Sequence, residues 1–333
     1  MPDSPASTAG RGSPARMAAA WAPRPFGLLE AFGGDAVRFV DHFTTAAVSA
    51  LAVGGGSEAF FTDARGQVLA LATILRTDTG LLVVTPPGLA ATLRDHLEHY
   101  HIREAMELRD VSADIAAFLV AGPHAAAALE RLCGSAVPVA PLAHRPVSLG
   151  GVAARIVRAE GQGADGFWVL VACSAAAAVT DLLARAALPR AADADLESLR
   201  LEARYPTAAD IPPKTLPQEL GRDARAISFT KGCYLGQETV ARLDALGHVN
   251  RRLMLLAIDA PDPPAVPATV TLAGVDVGLI TSACRSPVVG GPVGLGLVQV
   301  RALGAAELRV GGAAARVVAT VDGSGITAEA DDS

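Results

Sequence analysis

Cysteine is scarce in this chain, and its spacing excludes several classes of site. The four cysteines, Cys133, Cys173, Cys233 and Cys284, lie far apart and form no Cys-x-x-Cys pair. This spacing argues against a structural zinc site and against an iron–sulfur cluster bound by this chain alone. It also argues against a disulfide framework. We therefore expect a reducing, intracellular setting and a cytoplasmic location.

Long apolar runs and excess positive charge are missing as well. The longest apolar run, from Phe167 to Thr180, is too short to cross a bilayer. The hydrophobic share of 51% includes only 4% aromatic residues and reflects much alanine, so it is not a membrane signal. The net charge of −6 provides no overall field to hold a polyanion. We expect neither a membrane segment nor stable nucleic-acid binding. A local basic patch formed by Arg242, Arg251 and Arg252 is left as an alternative.

The first 25 residues have little that would fold. They are rich in proline, serine, glycine and alanine, are interrupted by arginines, and lack the continuous apolar region of a secretory signal. The composition predicts a disordered tail over residues 1–25. Two alternatives are left. The protein could start at Met17, and the stretch could be a transit peptide, because Asp3 is its only acid.

The remaining chain divides into three predicted units. Residues 26–110 show a helical pattern from Phe26 to Phe43, two strands joined by a turn, and a helix ending near Tyr100. Residues 111–250 continue with strands and helices in irregular alternation, which favours an α+β fold with antiparallel sheets. Residues 251–333 show short strands separated by proline and glycine, which predicts a small β-barrel. The first two units are allowed to interleave.

The most informative stretch runs from Ser228 to Leu243. Cys233 lies between Gly232 and Gly236, two residues after Lys231, and a helical pattern begins near Gln237. Glycines shape loops that other residues cannot adopt, so this cysteine is predicted to lie on a loop and not in a core. A nearby ammonium and a following helix N-terminus favour the thiolate. The alternative is a small buried apolar residue, as most free cysteines are.

The segment Lys-Gly-Cys-Tyr-Leu-Gly-Gln-Glu-Thr, which starts at Lys231, carries a resemblance. It resembles the signature of the YgfZ-type folate-binding proteins, which assist iron–sulfur cluster assembly and are relatives of the glycine-cleavage T-protein, an aminomethyltransferase. The T-protein family has Lys-Gly-Asp-Phe-x-Gly at this place. Cys233 stands where that family has the aspartate, and this difference separates the two branches.

Further elements extend the resemblance over nearly the whole chain after the tail. Ser198–Ala203 resembles the family's Leu-Arg-x-Glu-Ala-Gly element, with Arg204 in place of the usual glycine. Thr215–Glu219 resembles its Pro-x-Glu element, and Gly278–Ser282 with Ser286-Pro287 resembles its Gly-x-x-Thr-Ser…Ser-Pro element. The resemblance implies two α+β domains and a C-terminal barrel around a central hole that holds tetrahydrofolate or a derivative.

Within the motif, each residue has a functional and a structural interpretation. Lys231 would stabilise the Cys233 thiolate, while Gly232 and Gly236 would shape the loop. Tyr234 is either a stacking surface or a packed residue. Three more residues would position a partner, or would simply form the solvated start of a helix: Gln237, Glu238 and Arg242.

The resemblance also implies residues that contact folate. Arg200 and Glu202 lie in an element near the folate, and a guanidinium suits a carboxylate or a pterin edge. The alternative for Arg200 is an ordinary surface arginine. Asp165 falls where the T-protein has an acidic segment that contacts the pterin, although a hairpin turn explains it equally well.

One departure from the T-protein pattern bears on the reaction. The aminomethyltransferases carry a pair of aspartates where this chain has Ala70 and Leu71, and one of those carboxylates is needed for transfer. Alanine and leucine cannot do acid–base work, so aminomethyl transfer by that mechanism is disfavoured. Three hypotheses follow: an accessory protein that supports iron–sulfur enzymes, including tRNA-modifying ones, through Cys233; a folate-dependent one-carbon transferase; and a folate sensor without chemistry. The first implies folate, a transiently touched cluster and iron–sulfur assembly or client proteins as partners.

Two other clusters are weighed and set aside. His96, His99 and His101 lie near one predicted helix end, but no acid or cysteine completes a recognised zinc spacing. Gly290–Gly296 is rich in glycine but lacks the lysine and helix of a phosphate-binding loop. We predict no metal site, a solvated helix end for the histidines, and a turn leading into a barrel strand for the glycines.

Overall fold

Two antiparallel sheets and a closed barrel make up the fold in the computed structural model of this protein. The structure describes residues 13–159 and 166–318, together with the backbone of two short strands at 321–322 and 325–326. The predicted α+β fold with antiparallel sheets and a C-terminal barrel is confirmed. No helix in the described part of the chain is long and apolar enough to cross a membrane.

The elements have the following bounds. The helices are α1 (Pro14–Met17), α2 (Ala36–Asp41), α3 (Leu89–Glu98), α4 (Ala125–Cys133), α5 (Ala176–Arg185), α6 (Asp193–Glu202), α7 (Asp223–Ala226) and α8 (Gln237–Leu246). The strands before the barrel are β1 (Ala20–Pro23), β2 (Gly27–Gly33), β3 (Gly56–Thr62), β4 (Val68–Arg76), β5 (Gly80–Thr85), β6 (Met106–Asp110), β7 (Ile115–Ala121), β8 (His144–Leu149), β9 (Val152–Ala159) and β10 (Gly166–Ala172). The later strands are β11 (Arg251–Ile258), β12 (Ala268–Leu272), β13 (Val275–Ser286), β14 (Gly291–Gln299), β15 (Leu308–Val310), β16 (Ala313–Val317), β17 (Val321–Asp322) and β18 (Gly325–Ile326).

The first sheet has the strand order β3-β4-β5-β2-β6. Helices α2 and α3 cover one face, where Phe39 and Leu93 pack with the strand residues Leu29, Ile74 and Val83. The other face meets the second sheet. The central strands β4 and β5 are therefore covered on both sides, which explains why they consist almost entirely of apolar residues.

The prediction of one helix from Phe26 to Phe43 is wrong for its first half. Residues Gly27–Gly33 form β2, which pairs with β5 on one side and β6 on the other. Leu28 and Leu29 are both buried, yet they lie in different core clusters on opposite faces of the strand. A strand covered on both faces lacks apolar–polar alternation, so its apolar run imitates a helix.

The second sheet has the strand order β1-β7-β10-β9-β8, with α4 and α5 on its outer face. Its edge strand β1 lies inside the segment predicted as a disordered tail, so that prediction is wrong for residues 13–25. Trp21 is the reason: its ring packs edge-on against Phe118, and its indole Nε1 donates to the Leu188 carbonyl (3.1 Å). Residues 1–12 lie outside the described residues.

The two sheets pack face to face through a shared apolar cluster. Leu28, Leu75 and Val84 come from the first sheet, and Leu119 and Trp168 from the second. This cluster fixes how the two sheets sit relative to each other, because large apolar side chains from both sheets are buried there together.

The barrel has the closed order β11-β14-β13-β12-β15-β16, and the proline-rich stretch at 261–264 is a loop between β11 and β12. The prediction that the glycine-rich stretch is a turn leading into a barrel strand is confirmed, with Gly290 in the turn. From Gly291 it forms β14, where the side-chain-free Gly296 lets the backbone of β13 approach closely.

Residues 193–250 link all three parts, so the predicted unit 111–250 is divided. Helix α6 packs on the barrel strand β13, and α7 packs on β3 of the first sheet. A buried ion pair joins Arg222, at the start of α7, to Glu58 on β3, and the Tyr205 ring lies 4.9 Å from that guanidinium. The stretch between α7 and α8 therefore belongs spatially to the first sheet.

Candidate functional site

The loop between α7 and α8, residues 227–236, is the candidate site; we call it the motif loop. Backbone hydrogen bonds fasten both ends to the first sheet. Near one end, the Ser228 amide donates to the Thr45 carbonyl (2.8 Å). Near the other, the Leu235 amide donates to the His42 carbonyl (2.9 Å), and the Thr62 hydroxyl donates to the Leu235 carbonyl (2.6 Å). The motif loop is therefore held at both ends, with its tip between them.

Lys231 holds the middle of the motif loop. Its side chain is only 3% exposed. Its ammonium donates to the carbonyls of Asp41 (2.5 Å), Ala46 (2.7 Å) and Thr44 (2.9 Å), and lies 3.1 Å from Asp41 Oδ1. Burial lowers the pKa of Lys231, and the Asp41 carboxylate opposes that shift. Within the described ranges these oxygens take all of its hydrogen bonds, so its observed role is to anchor the loop and not to contact the Cys233 thiol.

The structure requires glycine at position 236, whereas position 232 has open space around it. Gly236 adopts φ 82°, and a Cβ there would lie 2.5 Å from the Asp63 carbonyl oxygen and 2.8 Å from Gly66 Cα. The backbones of the motif loop and of the turn before β4 thus touch directly, which only glycine permits. A Cβ at Gly232 would meet no described atom within 4 Å. The side of the loop next to Cys233 is therefore open.

Cys233 is exposed on this open side of the loop, three residues before Gly236, the N-cap of α8. The other cysteines differ. Burial raises the pKa of Cys133, and burial with the nearby Glu197 and Glu202 carboxylates raises that of Cys284 to about 12. Cys173 is exposed as well, but it follows β10 on a different sheet. The thiol best placed for chemistry is Cys233.

Tyr234 is packed and does not offer a free stacking surface. It is 8% exposed, burial raises its pKa to about 12, and the Lys231 ammonium lies 5.3 Å from its ring centroid. On α8, Glu238 and Arg242 are exposed and Gln237 is half-buried. This is the arrangement of a solvated helix start that is also open to a partner.

Arg200 is committed to internal ion pairs. Its side chain is 4% exposed; Nε and Nη2 donate to the Glu197 carboxylate (2.8 and 2.6 Å). Nη1 donates to the Tyr205 carbonyl (2.7 Å) and to Asp210 Oδ2 (2.8 Å). Four of the five N–H groups of this guanidinium donate to protein oxygens and the side chain is almost fully buried, so the structure does not support the folate contact that the resemblance implies for Arg200.

Asp210 joins two of the sequence elements that carry the resemblance. It is fully buried and accepts hydrogen bonds from the Thr281 and Ser282 hydroxyls (both 2.7 Å), in addition to Arg200. The Thr207 amide and hydroxyl donate to it as well (2.9 and 3.0 Å). The arginine element and the Thr-Ser element of the barrel thus meet at one carboxylate. Asp210 is a structural junction that sequence reasoning missed.

Glu202 is another structural junction. It accepts hydrogen bonds from Ser286 on the barrel (2.6 Å) and from Arg16 on α1 (2.9 and 3.1 Å). Like Arg200, it therefore links elements of the protein. The third predicted folate contact, Asp165, lies outside the described residues. The Pro-x-Glu element has a similar role, because Glu219 accepts two hydrogen bonds from Arg251 at the start of the barrel (2.8 Å each).

Arg204 stands where the family usually has glycine, and its backbone shows why. Its φ is 50°, in the left-handed region that favours glycine. Its guanidinium donates to the Val318 carbonyl (2.7 Å), so the larger side chain contacts the end of the barrel. The substitution is thus accommodated by a contact that glycine lacks.

The two positions at which the aminomethyltransferases have aspartates are apolar in this chain. Ala70 and Leu71 on β4 are each 2% exposed and lie opposite Phe61 and Phe60 on β3. Leu71 packs in one cluster with Phe60 and barrel residues such as Leu253. Neither of these two side chains accepts or delivers a proton.

The histidines lie at the end of α3. His101 Nδ1 is 3.0 Å from Glu98 Oε2, His99 is exposed, and His96 packs edge-on against Phe43. Among the described residues there is no group of three or more histidine, cysteine or acidic side chains placed to hold a metal ion.

Asp223, at the start of α7 just before the motif loop, gives a pH prediction. Burial raises its pKa to about 6; Arg252 opposes that shift and Asp244 adds to it. Because the folded pKa lies above the reference value of 3.8, the wild-type protein loses stability as the pH rises from about 4 to about 6. Asp223→Asn carries no charge to desolvate. We expect it to raise the free energy of unfolding by about 1–2 kcal/mol near pH 7, with the gain absent near pH 4.

Urea unfolding at a series of pH values measures this difference. Asp193→Asn, at an exposed acid in the first turn of α6, is the control. If Asp223→Asn raised the free energy of unfolding equally near pH 4 and near pH 7, burial of the Asp223 charge would not be the cause.

A solved structure has the same fold. The crystal structure of glycine cleavage system aminomethyltransferase T from Bartonella henselae superposes with a TM-score of 0.79 at 22% identity. The match covers 91% of this chain and 86% of that chain. At this identity the likeness shows the shared fold alone.

Several curated proteins are similar in sequence. A putative chloroplastic transferase from Arabidopsis thaliana is 28% identical over 284 residues, 83% of this chain and 64% of the relative. An aminomethyltransferase from a Synechococcus strain is 27% identical over 226 residues, 67% of this chain and 63% of the relative. The tRNA-modifying protein YgfZ from Colwellia psychrerythraea is 38% identical over 89 residues, 26% of this chain and 28% of the relative. The chain thus spans less than two thirds of the length of each.

Two family models match, and together they cover most of the chain. The model of the GCVT N-terminal domain matches residues 19–231, which include the two sheets and the start of the motif loop. The model of the glycine cleavage T-protein C-terminal barrel domain matches residues 251–324. With the sheets, the barrel and their junction at Asp210 all in place, this chain belongs to the glycine cleavage T-protein family.

Proposed function

We propose that this protein is a cytoplasmic folate-binding accessory protein for the maturation of iron–sulfur enzymes, including tRNA-modifying ones, with Cys233 as its functional thiol. One observation carries the proposal: Cys233 is exposed on a loop that is fastened at both ends and anchored through Lys231. A thiol presented on a rigid loop can meet a cluster, a sulfur atom or a partner protein repeatedly in one geometry.

The sequence around the thiol supports this function. The motif beginning at Lys231 has cysteine where the aminomethyltransferase branch has aspartate, and it resembles the signature of the YgfZ-type proteins. The similar stretch of the tRNA-modifying protein YgfZ from Colwellia psychrerythraea, although short, points in the same direction. The aliphatic Ala70 and Leu71 count against aminomethyl transfer, because neither holds or moves a proton.

The Cys233 thiol acts here as a transient ligand or a transient nucleophile. To bind iron or act as a nucleophile the thiol loses its proton to water or to a base of the partner, and the open side next to Gly232 gives both of them direct access to it. The exposed residues Glu238 and Arg242, one turn apart on α8, offer charges of both signs to a docking protein. Cluster and client are then transient partners and not resident groups.

Folate, when bound, would supply a one-carbon carrier or act as a structural ligand. Two of the residues that the resemblance assigns to it, Arg200 and Glu202, do not fit that role, since their polar atoms are taken up by Glu197, Asp210, Arg16 and Ser286. Donors for a ligand must come from elsewhere in the interior.

Complementation tests the role of the thiol. In cells that lack the protein, we expect wild type to restore iron–sulfur enzyme activity and Cys233→Ala to fail. Cys173→Ala is the matched control, because Cys173 is the other exposed cysteine and lies outside the motif. Equal protein levels on a blot exclude misfolding. Full rescue by Cys233→Ala would remove the thiol from the function and favour a folate sensor.

The alternative is a folate-dependent aminomethyl or one-carbon transferase. The similarity to aminomethyltransferases over most of this chain favours it. Its test is transfer of a methylene group from an aminomethyl donor to tetrahydrofolate by the purified protein. Sustained turnover that survives Cys233→Ala would favour the transferase over the accessory protein.

A further inference from the structure

The barrel carries a surface cleft with a volume of about 520 Å³. The end of β11, the turn before β14 with the start of that strand, and β16 line it. Its volume lies within the range of about 300–1,000 Å³ that is usual for small-molecule sites. None of its described lining residues belongs to the motif loop or to the residues that the resemblance assigns to folate. The cleft is therefore a separate candidate site.

The strand register places the floor of the cleft on the outer face of the barrel. Ala257 on β11 lies opposite Val293 on β14 and opposite Arg316 on β16. Side chains directly opposite each other share a face. Ala257 and Val293 belong to the apolar cluster in which the barrel packs against Phe60 of the first sheet, and not to the cluster inside the barrel. Arg316 therefore also lies on the outer face.

Asp259 lies on the same outer face. Its amide donates to the Ala314 carbonyl (2.8 Å), which extends the pairing of β11 with β16 by one residue. Residues two apart on a strand face the same side, so Asp259 shares its face with Ala257. Arg316 is likewise two residues beyond Ala314. Asp259 and Arg316 are thus diagonal neighbours, with Cβ atoms roughly 7 Å apart.

Both of these charged side chains are exposed, and neither makes a hydrogen bond or an ion pair within the described ranges. Arg309, another exposed arginine of the barrel, does have an acceptor, because its Nη1 donates to the Gly312 carbonyl (2.9 Å). A carboxylate and a guanidinium that line one cleft without contacting each other leave room for a ligand that contacts both. Asp259 and Arg316 are therefore the polar groups of the cleft that a ligand could use.

Small residues create the space around these two charges. Four lining positions carry no side chain or a single methyl group: Gly290, Gly291, Ala306 and Ala314. A Cβ at Gly290 or Gly291 would meet no described atom within 4 Å, so open space continues over both glycines. Together with Ala257, these positions give the cleft an apolar lining of low relief. Larger side chains would fill it.

The two charges and the apolar lining fit a small zwitterion. A guanidinium binds a carboxylate through paired N–H groups, and an aspartate accepts hydrogen bonds from an ammonium. A free α-amino acid carries a carboxylate and an ammonium on one carbon, so it can contact Arg316 and Asp259 together. An aliphatic side chain on that carbon would cover the methyl groups of the lining and remove apolar surface from water.

We propose that this cleft binds a free α-amino acid with an aliphatic side chain, with Arg316 holding its carboxylate and Asp259 its ammonium. The inference goes beyond the proposed function and does not rest on it, because residues of the barrel alone line the cleft. A ligand that binds only the folded protein stabilises it by mass action, so occupation of the cleft also raises the melting temperature.

Three related ligands test the contribution of each charge. L-leucine carries both charges, 4-methylpentanoate lacks the ammonium, and 3-methylbutylamine lacks the carboxylate; the apolar part is the same in all three. Each is titrated into the purified full chain and followed by ligand-detected NMR, which measures weak binding. We expect L-leucine to bind at least about 10-fold more tightly than either analogue, because each analogue loses charge-assisted hydrogen bonds.

Variants assign the two charges to their residues. Arg316→Gln should weaken L-leucine binding about 10-fold and leave 3-methylbutylamine binding unchanged, because that ligand has no carboxylate to lose. Asp259→Asn should weaken L-leucine binding by a similar factor and leave 4-methylpentanoate binding unchanged. Ala314→Leu should fill the cleft and abolish binding of all three ligands. Arg309→Gln, at an exposed arginine on β15, is the control, and circular dichroism confirms that each variant is folded.

Three results would overturn the assignment. The first is the absence of detectable L-leucine binding to wild type. The second is equal binding of L-leucine and the two analogues, and the third is wild-type affinity for L-leucine in both Arg316→Gln and Asp259→Asn. The role of Cys233 would stand in each case, because complementation tests it independently of the cleft.

Discussion

Asp210→Asn is expected to lower the free energy of unfolding by about 3 kcal/mol near pH 7, although the side chain keeps its shape. The fully buried carboxylate pairs with Arg200 and accepts hydrogen bonds from Thr281 and Ser282. Asparagine removes the charge, and its amide group replaces one acceptor oxygen with a donor that faces other donors. Because Asp210 joins α6 to the barrel, the variant should weaken the contact between the barrel and the rest of the chain.

The pH dependence of this loss identifies its cause. Burial alone would raise the pKa of Asp210, but Arg200 and the hydrogen bonds from Thr207, Ser282 and Thr281 outweigh it and lower the pKa. A lowered folded pKa means that the stability is present above the reference value of 3.8 and is lost as the pH falls through the folded pKa. The difference between wild type and Asp210→Asn should therefore be constant near neutral pH and shrink below about pH 4.

Urea unfolding of both proteins, each followed by tryptophan fluorescence and by circular dichroism, measures the effect. Asp262→Asn is the control, since that acid is 88% exposed and lies 3.8 Å from Arg285. It should change stability by less than about 0.5 kcal/mol. A loss for Asp210→Asn that is as small as that of the control would show that the junction contributes little.

The family elements were recognisable in sequence, but their roles were not. The resemblance implies a folate contact for Arg200, whereas the structure pairs it with Glu197 and Asp210. Sequence alone cannot distinguish these roles, because the acceptors of a guanidinium are set by tertiary contacts. Asp210 had one local signal: Thr207 and Asp210 have the spacing of a capping box, and the Asp210 carboxylate accepts a hydrogen bond from the Thr207 amide.

The fold was predictable where strands and turns alternate clearly. The barrel strands follow short apolar runs between prolines and glycines, and the structure has strands there. Prediction failed where an element is covered on both faces or depends on distant partners. Strand β2 imitates a helix because it is buried on both sides, and β1 imitates a tail because its order depends on pairing with β7 and on Trp21.

The motif loop has one property that the sequence predicts and one that it does not. The exposure of Cys233 follows from its glycine-rich surroundings, as the sequence pattern predicts. The role of Lys231 does not follow, because two residues of separation along a loop do not bring two side chains together. The oxygens that Lys231 contacts belong to residues 41, 44 and 46, far away in sequence. The buried Lys231 side chain thus fixes the backbone of the motif loop, while Cys233 stays exposed.

Lys231→Met is expected to lower the free energy of unfolding by about 3 kcal/mol, because the carbonyls of residues 41, 44 and 46 lose their donor in a buried place. The sequence contains one other lysine, Lys214, and its remaining permanently charged basic side chains are arginines. A compact ammonium directs three N–H groups at converging carbonyls, which a planar guanidinium cannot do. Lys231→Arg should therefore not restore the stability.

Alkylation of Cys233 by iodoacetamide separates anchoring from activation. All measurements are made at temperatures where each variant is folded, with Lys214→Met, at an exposed lysine, as the control. If Lys231 only anchors the loop, Lys231→Met should melt earlier while Cys233 reacts at least as fast as in wild type, because the loop is freed and no activating charge is lost. Slower alkylation at unchanged stability would show instead that the ammonium acts on the thiol, and the anchoring role derived from its four oxygen contacts would be wrong.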